Sequence, residues 1–116
     1  MSVTVEPATV EARVAEVFPT ASHLIRDHGW LRGSYGDRGR GFCIDGAVMT
    51  AAYDLFGERG PGFVNRMATA ARASLRRTLS HDLASVWNDR LGRTVGEVLV
   101  ALEDARRDVL THGAPS

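Results

Sequence analysis

Lysine and glutamine are absent from this chain, and cysteine occurs once, as Cys43. Without lysine there is no amine for a Schiff base, no lysine general base and no phosphate-loop lysine. All fourteen basic side chains are arginines. A GC-rich coding bias, which swaps Lys for Arg and fills a chain with Ala, Gly and Val, is the simpler explanation. A demand for guanidinium forks that grip carboxylates is the other. One cysteine cannot close an internal disulfide, so nothing suggests a stapled secreted scaffold. One Cys with four scattered His also argues against a structural zinc site. Charge of either sign is missing in excess, because fourteen acidic residues balance the arginines. That leaves no electrostatic footprint for nucleic acid or an anionic membrane. No basic N-terminal region precedes an apolar run, and no stretch nears the roughly eighteen apolar residues of a membrane span. The expectation is a soluble, cytoplasmic protein with no metal and no cofactor.

What is present suits a globular domain. The 116 residues are 44% hydrophobic and 24% charged, enough for one packed core and too few for a two-domain enzyme. We read residues 1–116 as a single helical domain with frayed ends at 1–6 and 112–116. Apolar residues recur at three and four along most of the chain, the helical period. Pro7 suits a first turn, followed on one face by Val10, Val14, Val17 and Phe18, and Pro19 should end or bend that helix. Thr20 or Ser22 would cap a short restart through Leu24 and Ile25, stopped by Gly29. Residues 30–41 lose the periodicity, and Gly33 to Gly41 carries four glycines in nine residues, as a loop or distorted hairpin does. Phe42 to Phe56 reads as a central helix with small residues Gly46, Ala47, Ala51 and Ala52 for close helix approach. Pro61 or Gly62 opens a helix striped by Phe63, Met67, Ala71, Leu75 and Leu79. Ser80 begins a new turn, and Leu83 to Trp87 forms a short helix stopped by Asn88-Asp89. Thr94 to Glu97 fits a capping box, ahead of a face of Val95, Val98, Leu99, Leu102, Ala105, Val109 and Leu110. Ser2 to Val5 could pair as a short strand. The fold expected is all-α, a compact bundle of four to six helices with one glycine-rich insertion.

Several residues carry chemistry in more than one reading. Cys43 opens a helix, where free N–H groups lower a thiol pKa, and His23, His28 or His81 could serve it as base. The plainer reading is a small buried hydrophobe. His23, Arg26 and Asp27 share one side of a helix, fit for proton transfer, carbonyl polarisation and orientation, or else for an ordinary solvated surface. Trp87, Asn88 and Arg93 could form a wall and hydrogen-bond donors of a ligand site, or stop one helix and start the next. Arg38 and Arg40 in the glycine-rich loop suggest an anion cradle, but Lys and Ser/Thr of a phosphate loop are missing. A loop that orders on a peptide or a second subunit fits Trp30, Leu31 and Tyr35 better.

The segments His28-Gly29-Trp30, Cys43-Ile-Asp-Gly46-Ala47 and Trp87-Asn88-Asp89 with Gly92-Arg93-Thr94-Val-Gly-Glu97-Val98 resemble an uncharacterised family of small helical actinobacterial proteins, over roughly residues 23–105. That resemblance brings no activity with it. In size, helical character, Arg-rich composition and its Val-Glu-Pro-Ala-Thr-Val-Glu stretch, the chain is more loosely similar to the lysinoalanine-forming proteins of duramycin- and cinnamycin-type lantibiotic clusters. This second resemblance implies a homodimer acting on a modified peptide and adding a lysine amine to dehydroalanine.

Such a cyclisation needs a neutral amine, a polarised acceptor and two ends held close. Positioning alone supplies up to about 7–11 kcal/mol in well-oriented cases. On this expectation His23 transfers the proton and Arg26 binds a carbonyl or carboxylate. Asp27, Trp30, Tyr35, Trp87, Asn88 and Arg93 contact the peptide. A non-catalytic helical binding module is the alternative, and a Cys43-dependent hydrolase or transferase a third.

Overall fold

A computed structural model of the chain describes residues 9–114. The first-turn role of Pro7 and the strand at Ser2–Val5 lie outside the described residues. Among the described residues, five helices and one minimal hairpin make up the fold, which is all-α.

Helix α1 runs Val10–His28, capped by the Thr9 hydroxyl, which accepts from the Ala12 N–H at 3.1 Å, and closed by Gly29 at φ 102°. Pro19 does not end it. The ring sits on the exposed side, while Val14, Val17, Phe18, Ala21, Leu24 and Ile25 are buried on either side of it. An interior proline costs about 3 kcal/mol, but burying Leu24 and Ile25 stabilises the continuous helix by roughly 1.5–3 kcal/mol each. Thr20 therefore caps no restart, and its hydroxyl donates back to the Glu16 carbonyl at 3.1 Å. Val10, expected on the apolar face, is exposed at the helix tip.

The glycine-rich segment is a hairpin, with β1 (Gly36–Asp37) antiparallel to β2 (Gly41–Phe42). The Asp37 carboxylate shapes its turn by accepting from the Gly39 and Arg40 N–H groups, both at 2.9 Å. Phe42 belongs to β2 and not to the following helix. Its carbonyl accepts from Leu31 N–H at 3.0 Å and its N–H donates to the Gly29 carbonyl at 2.9 Å, pinning the hairpin to the end of α1.

Helix α2 spans Ile44–Phe56 and α3 spans Pro61–Leu79, joined by a short 3-10 turn at Gly57–Arg59. The small face of α2 serves the hairpin as well as the helices. A Cβ on Gly46 would stand 2.0 Å from the Tyr35 carbonyl oxygen. Buried Asp45 accepts from Arg72 of α3 through both carboxylate oxygens, at 2.8 and 2.9 Å. The α3 stripe packs as expected through Met67, Ala71 and Leu75. Ser80 ends α3 in the left-handed region, at φ 50°, and so starts no helix.

Helix α4 is Ala84–Asp89, so Leu83 precedes it, 57% exposed, while Asn88 and Asp89 form its last turn. Helix α5 is Val95–His112, opened by the expected capping box of Thr94 and Glu97. Val98, Leu102, Ala105 and Val109 face the core, but Val95 and Leu110 do not: one lies at the tip, the other a third of a turn off the stripe. Helix α1 packs against α5, α2 and α3, which places it at the centre of the bundle, and α4 closes against α2 and α3. No helix among the described residues is long and apolar enough to cross a membrane.

Candidate functional site

Asn88 is fully buried, and all of its amide's hydrogen-bonding capacity is used within the chain. Its Oδ1 accepts from Trp30 Nε1 at 2.6 Å and from the Ile44 N–H at 3.0 Å. Its Nδ2 donates to the Leu31 carbonyl and to Asp89 Oδ1, each at 3.0 Å. One side chain thus ties α4 to the loop after α1 and to the first turn of α2. An amide has two lone pairs and two N–H donors, so none is left for a ligand. Asn88 positions the site from behind.

Asp89 continues the latch. The same Oδ1 accepts from the Gly33 N–H at 3.0 Å, holding the loop against α4. Between loop and helix lies a cleft of about 340 Å³, lined by Gly33, Ser34, Tyr35, Cys43, Ser85 and Asp89. Among the described residues no cationic side chain lines it. Arg72 comes within electrostatic reach of Tyr35 and Cys43, but Asp45 neutralises it and its hydrogen bonds raise the guanidinium further above its ordinary range. The lining's polar members are Asp89, whose carboxylate only accepts, and Ser34, Tyr35 and Ser85, whose hydroxyls accept as well as donate.

Cys43 is 1% exposed. Its thiol caps α2 by accepting from the Gly46 N–H at 3.3 Å, and its own N–H donates to the Tyr35 carbonyl at 3.2 Å. Burial pushes the thiol pKa up, more than the backbone hydrogen bonds from Gly46 and Asp45 pull it down. A reactive thiolate needs the opposite shift. No described histidine hydrogen-bonds to it. His81 Nδ1 instead accepts from the Leu83 N–H at 3.0 Å, and the His28 ring meets Phe42 edge-on.

Arg93 is held in place by four contacts. Its guanidinium lies 3.8 Å from the Trp87 ring centroid, donates to the Trp87 carbonyl at 3.0 Å and pairs with Glu97 at 3.0 Å, and its own carbonyl accepts from Arg32. Arg32 in turn lies over the Trp30 ring. Arg38 pairs with Asp54 and Arg40 with Asp37, so these two guanidinium groups of the glycine-rich segment are committed to carboxylates. The structure therefore gathers Trp30, Tyr35, Cys43, Trp87, Asn88 and Arg93 around one loop–helix junction, where Tyr35 and Cys43 face the cleft and Trp30, Asn88 and Arg93 build its support. His23, Arg26 and Asp27 stand apart, exposed on α1, and hydrogen-bond to no other described side chain. Among the described residues no group of three or more His, Cys, Asp or Glu could hold a metal ion.

Three participants had no individual signal in the sequence. Asp89 was visible only as the neighbour of Asn88, while Ser34 and Ser85 are ordinary loop and helix-start residues until the latch folds them together. No curated protein and no solved structure matches the chain. Residues 9–108, however, match the model of a family of unknown function, DUF6197, and the chain belongs to that family.

Proposed function

We propose that the protein is a non-catalytic helical binding module whose loop–α4 cleft takes a primary ammonium group, free or on a peptide side chain. The observation that carries this is the polar lining around the Asp89 carboxylate with no cation among its members. Asp89 Oδ1 is fixed by the Gly33 N–H and the Asn88 amide, which leaves its second oxygen to receive a donor. The Ser85 hydroxyl, one residue into α4, makes no hydrogen bond to another described residue and supplies a further acceptor. An ammonium has three donors and no acceptor, and every polar side chain of this set can accept.

The same chemistry weighs against catalysis at the cleft. Addition of an amine to dehydroalanine requires the amine lone pair, and a neighbouring carboxylate favours the protonated form. His23, which would take the proton in the tailoring reading, stands on the exposed face of α1. Lysinoalanine formation is thus supported by resemblance alone, and binding by the geometry.

The test is a titration followed by backbone amide NMR, with n-butylammonium as probe and n-butanol as the uncharged control. Five heavy atoms support binding at about the millimolar level. Saturable shifts at Gly33, Ser34, Tyr35 and Ser85 with the amine, and none with the alcohol, are expected. Equal responses to both, or shifts confined to other elements, would overturn the assignment. Incubation with a dehydrated, thioether-ringed peptide bearing a free lysine separates the two readings: a dehydroalanine that stays thiol-reactive supports binding alone, and its disappearance at unchanged mass would establish the tailoring activity.

A further inference from the structure

Three guanidinium groups converge on one phenylalanine near the start of α3. Phe63 is half-buried and meets the Phe56 ring edge-on, with 5.5 Å between centroids. Around it stand Arg59 of the 3-10 turn at 4.1 Å from the ring centroid, Arg66 of α3 at 5.5 Å and Arg13 of α1 at 5.7 Å. The three come from separate elements, so the fold and no contiguous motif brings them together. Because each lies within 5.7 Å of one point, no two guanidinium carbons are more than about 11 Å apart. That is comparable to the Debye length of about 8–10 Å near physiological salt, so their mutual repulsion is only partly screened.

No carboxylate among the described residues neutralises them. Seven other arginines of the chain form ion pairs, but Arg13, Arg59 and Arg66 form none there. Glu11, Glu16 and Glu58, the acidic residues closest to them in sequence, are exposed and pair with none of the three. The first turn of α3 holds no acidic residue. The ring of Phe63 attracts a cation through its quadrupole but has no net charge with which to cancel one. Arg13 is also half-buried, where an uncompensated charge is less well solvated than in open water. A Cβ on Gly60 or Gly62 would meet no atom within 4 Å, so the chain beside Phe63 leaves room for a ligand.

We propose that this arginine cluster binds a phosphate dianion, free or as a small phosphomonoester. Guanidinium forks engage phosphate oxygens two at a time. A doubly charged group with oxygens in tetrahedral array can meet three forks from three directions, whereas a planar, singly charged carboxylate suits one. Arg59 and Arg66 are exposed, so their stems can close on the anion, while half-buried Arg13 fixes its place. The site shares no residue with the Asp89 cleft, so either assignment can fail alone.

Titration of the full chain with inorganic phosphate at about pH 7.5, with ionic strength held constant by chloride and backbone amides followed by NMR, tests it. Saturable shifts at Arg59, Gly60, Gly62 and Phe63 are expected, with a Kd of about 1 mM. Acetate at the same ionic strength should bind at least about tenfold more weakly. Arg59→Ala and Arg66→Ala should each weaken phosphate binding about three- to tenfold, and the double variant by at least about tenfold. Arg76→Ala, which removes another arginine of α3 without an ion-pair partner among the described residues, should bind phosphate like the wild type, as should Asp89→Asn. Shifts that stay linear to about 50 mM phosphate, acetate binding equal to phosphate binding, or a double variant that binds like the wild type would overturn the assignment. So would a loss on Arg76→Ala as large as on Arg59→Ala, because the response would then follow net charge alone.

Discussion

Replacing Asn88 by Ala should be among the most damaging single changes outside the apolar core. The amide accepts from Trp30 Nε1 and the Ile44 N–H and donates to the Leu31 carbonyl and Asp89. Each such bond has a net worth of about 0.5–1.5 kcal/mol, and each buried partner left unpaired costs about 1–3 kcal/mol unless water reaches it. With water admitted to part of the vacated space, a loss of about 4 kcal/mol follows, a large fraction of the roughly 10 kcal/mol that holds a domain of this size. Urea unfolding followed by Trp fluorescence measures it directly, since Trp30 reports on the latch. Asn88→Asp adds a sign test. The new carboxyl would be buried beside Asp89 and the Leu31 carbonyl, so its folded pKa would lie above its unfolded value near 4. The folded state then holds the proton more tightly, and stability falls as pH rises through that window. This variant should be more stable at pH 4 relative to pH 7 than Asn88→Ala is. A loss below about 1 kcal/mol for Asn88→Ala, or identical pH trends for the two variants, would refute the assignment of Asn88 as the latch.

Gly46→Ala would drive a Cβ to 2.0 Å from the Tyr35 carbonyl oxygen, a backbone atom; a loss of about 2–3 kcal/mol is expected by chemical denaturation, with the cleft amides shifted in NMR spectra. Arg72→Ala would strand Asp45, which is 3% exposed, and should cost about 3 kcal/mol, the lower end of the usual range because Arg72 is itself partly solvated. Native Cys43 should react with iodoacetamide at least about a hundredfold more slowly than in urea, since exposure requires an opening step. Because burial raises its pKa, any native reaction should keep accelerating beyond pH 9, where an ordinary thiol levels off.

The helices with regular stripes and explicit caps were legible from sequence. Thr94 and Glu97 mark the start of α5 unaided, and Met67, Ala71 and Leu75 show which side of α3 is buried. Pro19 misled because its backbone cost is local, whereas the buried side chains that outweigh it lie on both flanks and count only when the whole bundle forms. Phe42 looked helical because a two-residue strand is too short to show alternation. In the loop–α4 region, residue types in Trp87-Asn88-Asp89 were informative but their directions were not. Whether an Asn faces a ligand or its own chain depends on Trp30 and Ile44, which lie 58 and 44 residues away. The cleft around Asp89 is likewise a product of that latch and has no contiguous motif.

On the proposed reading, Asp89 presents its charge to an ammonium group. Calorimetric titration of n-butylammonium into the wild type and into Asp89→Asn tests it most directly. The substituted amide can still accept from the Gly33 N–H, so the loop stays latched and only the charge is removed. A charge-assisted hydrogen bond exceeds a neutral one by about 1–1.5 kcal/mol, so affinity should fall about tenfold, with the amide spectrum of the free variant otherwise preserved. Equal affinity in the two proteins would contradict the account.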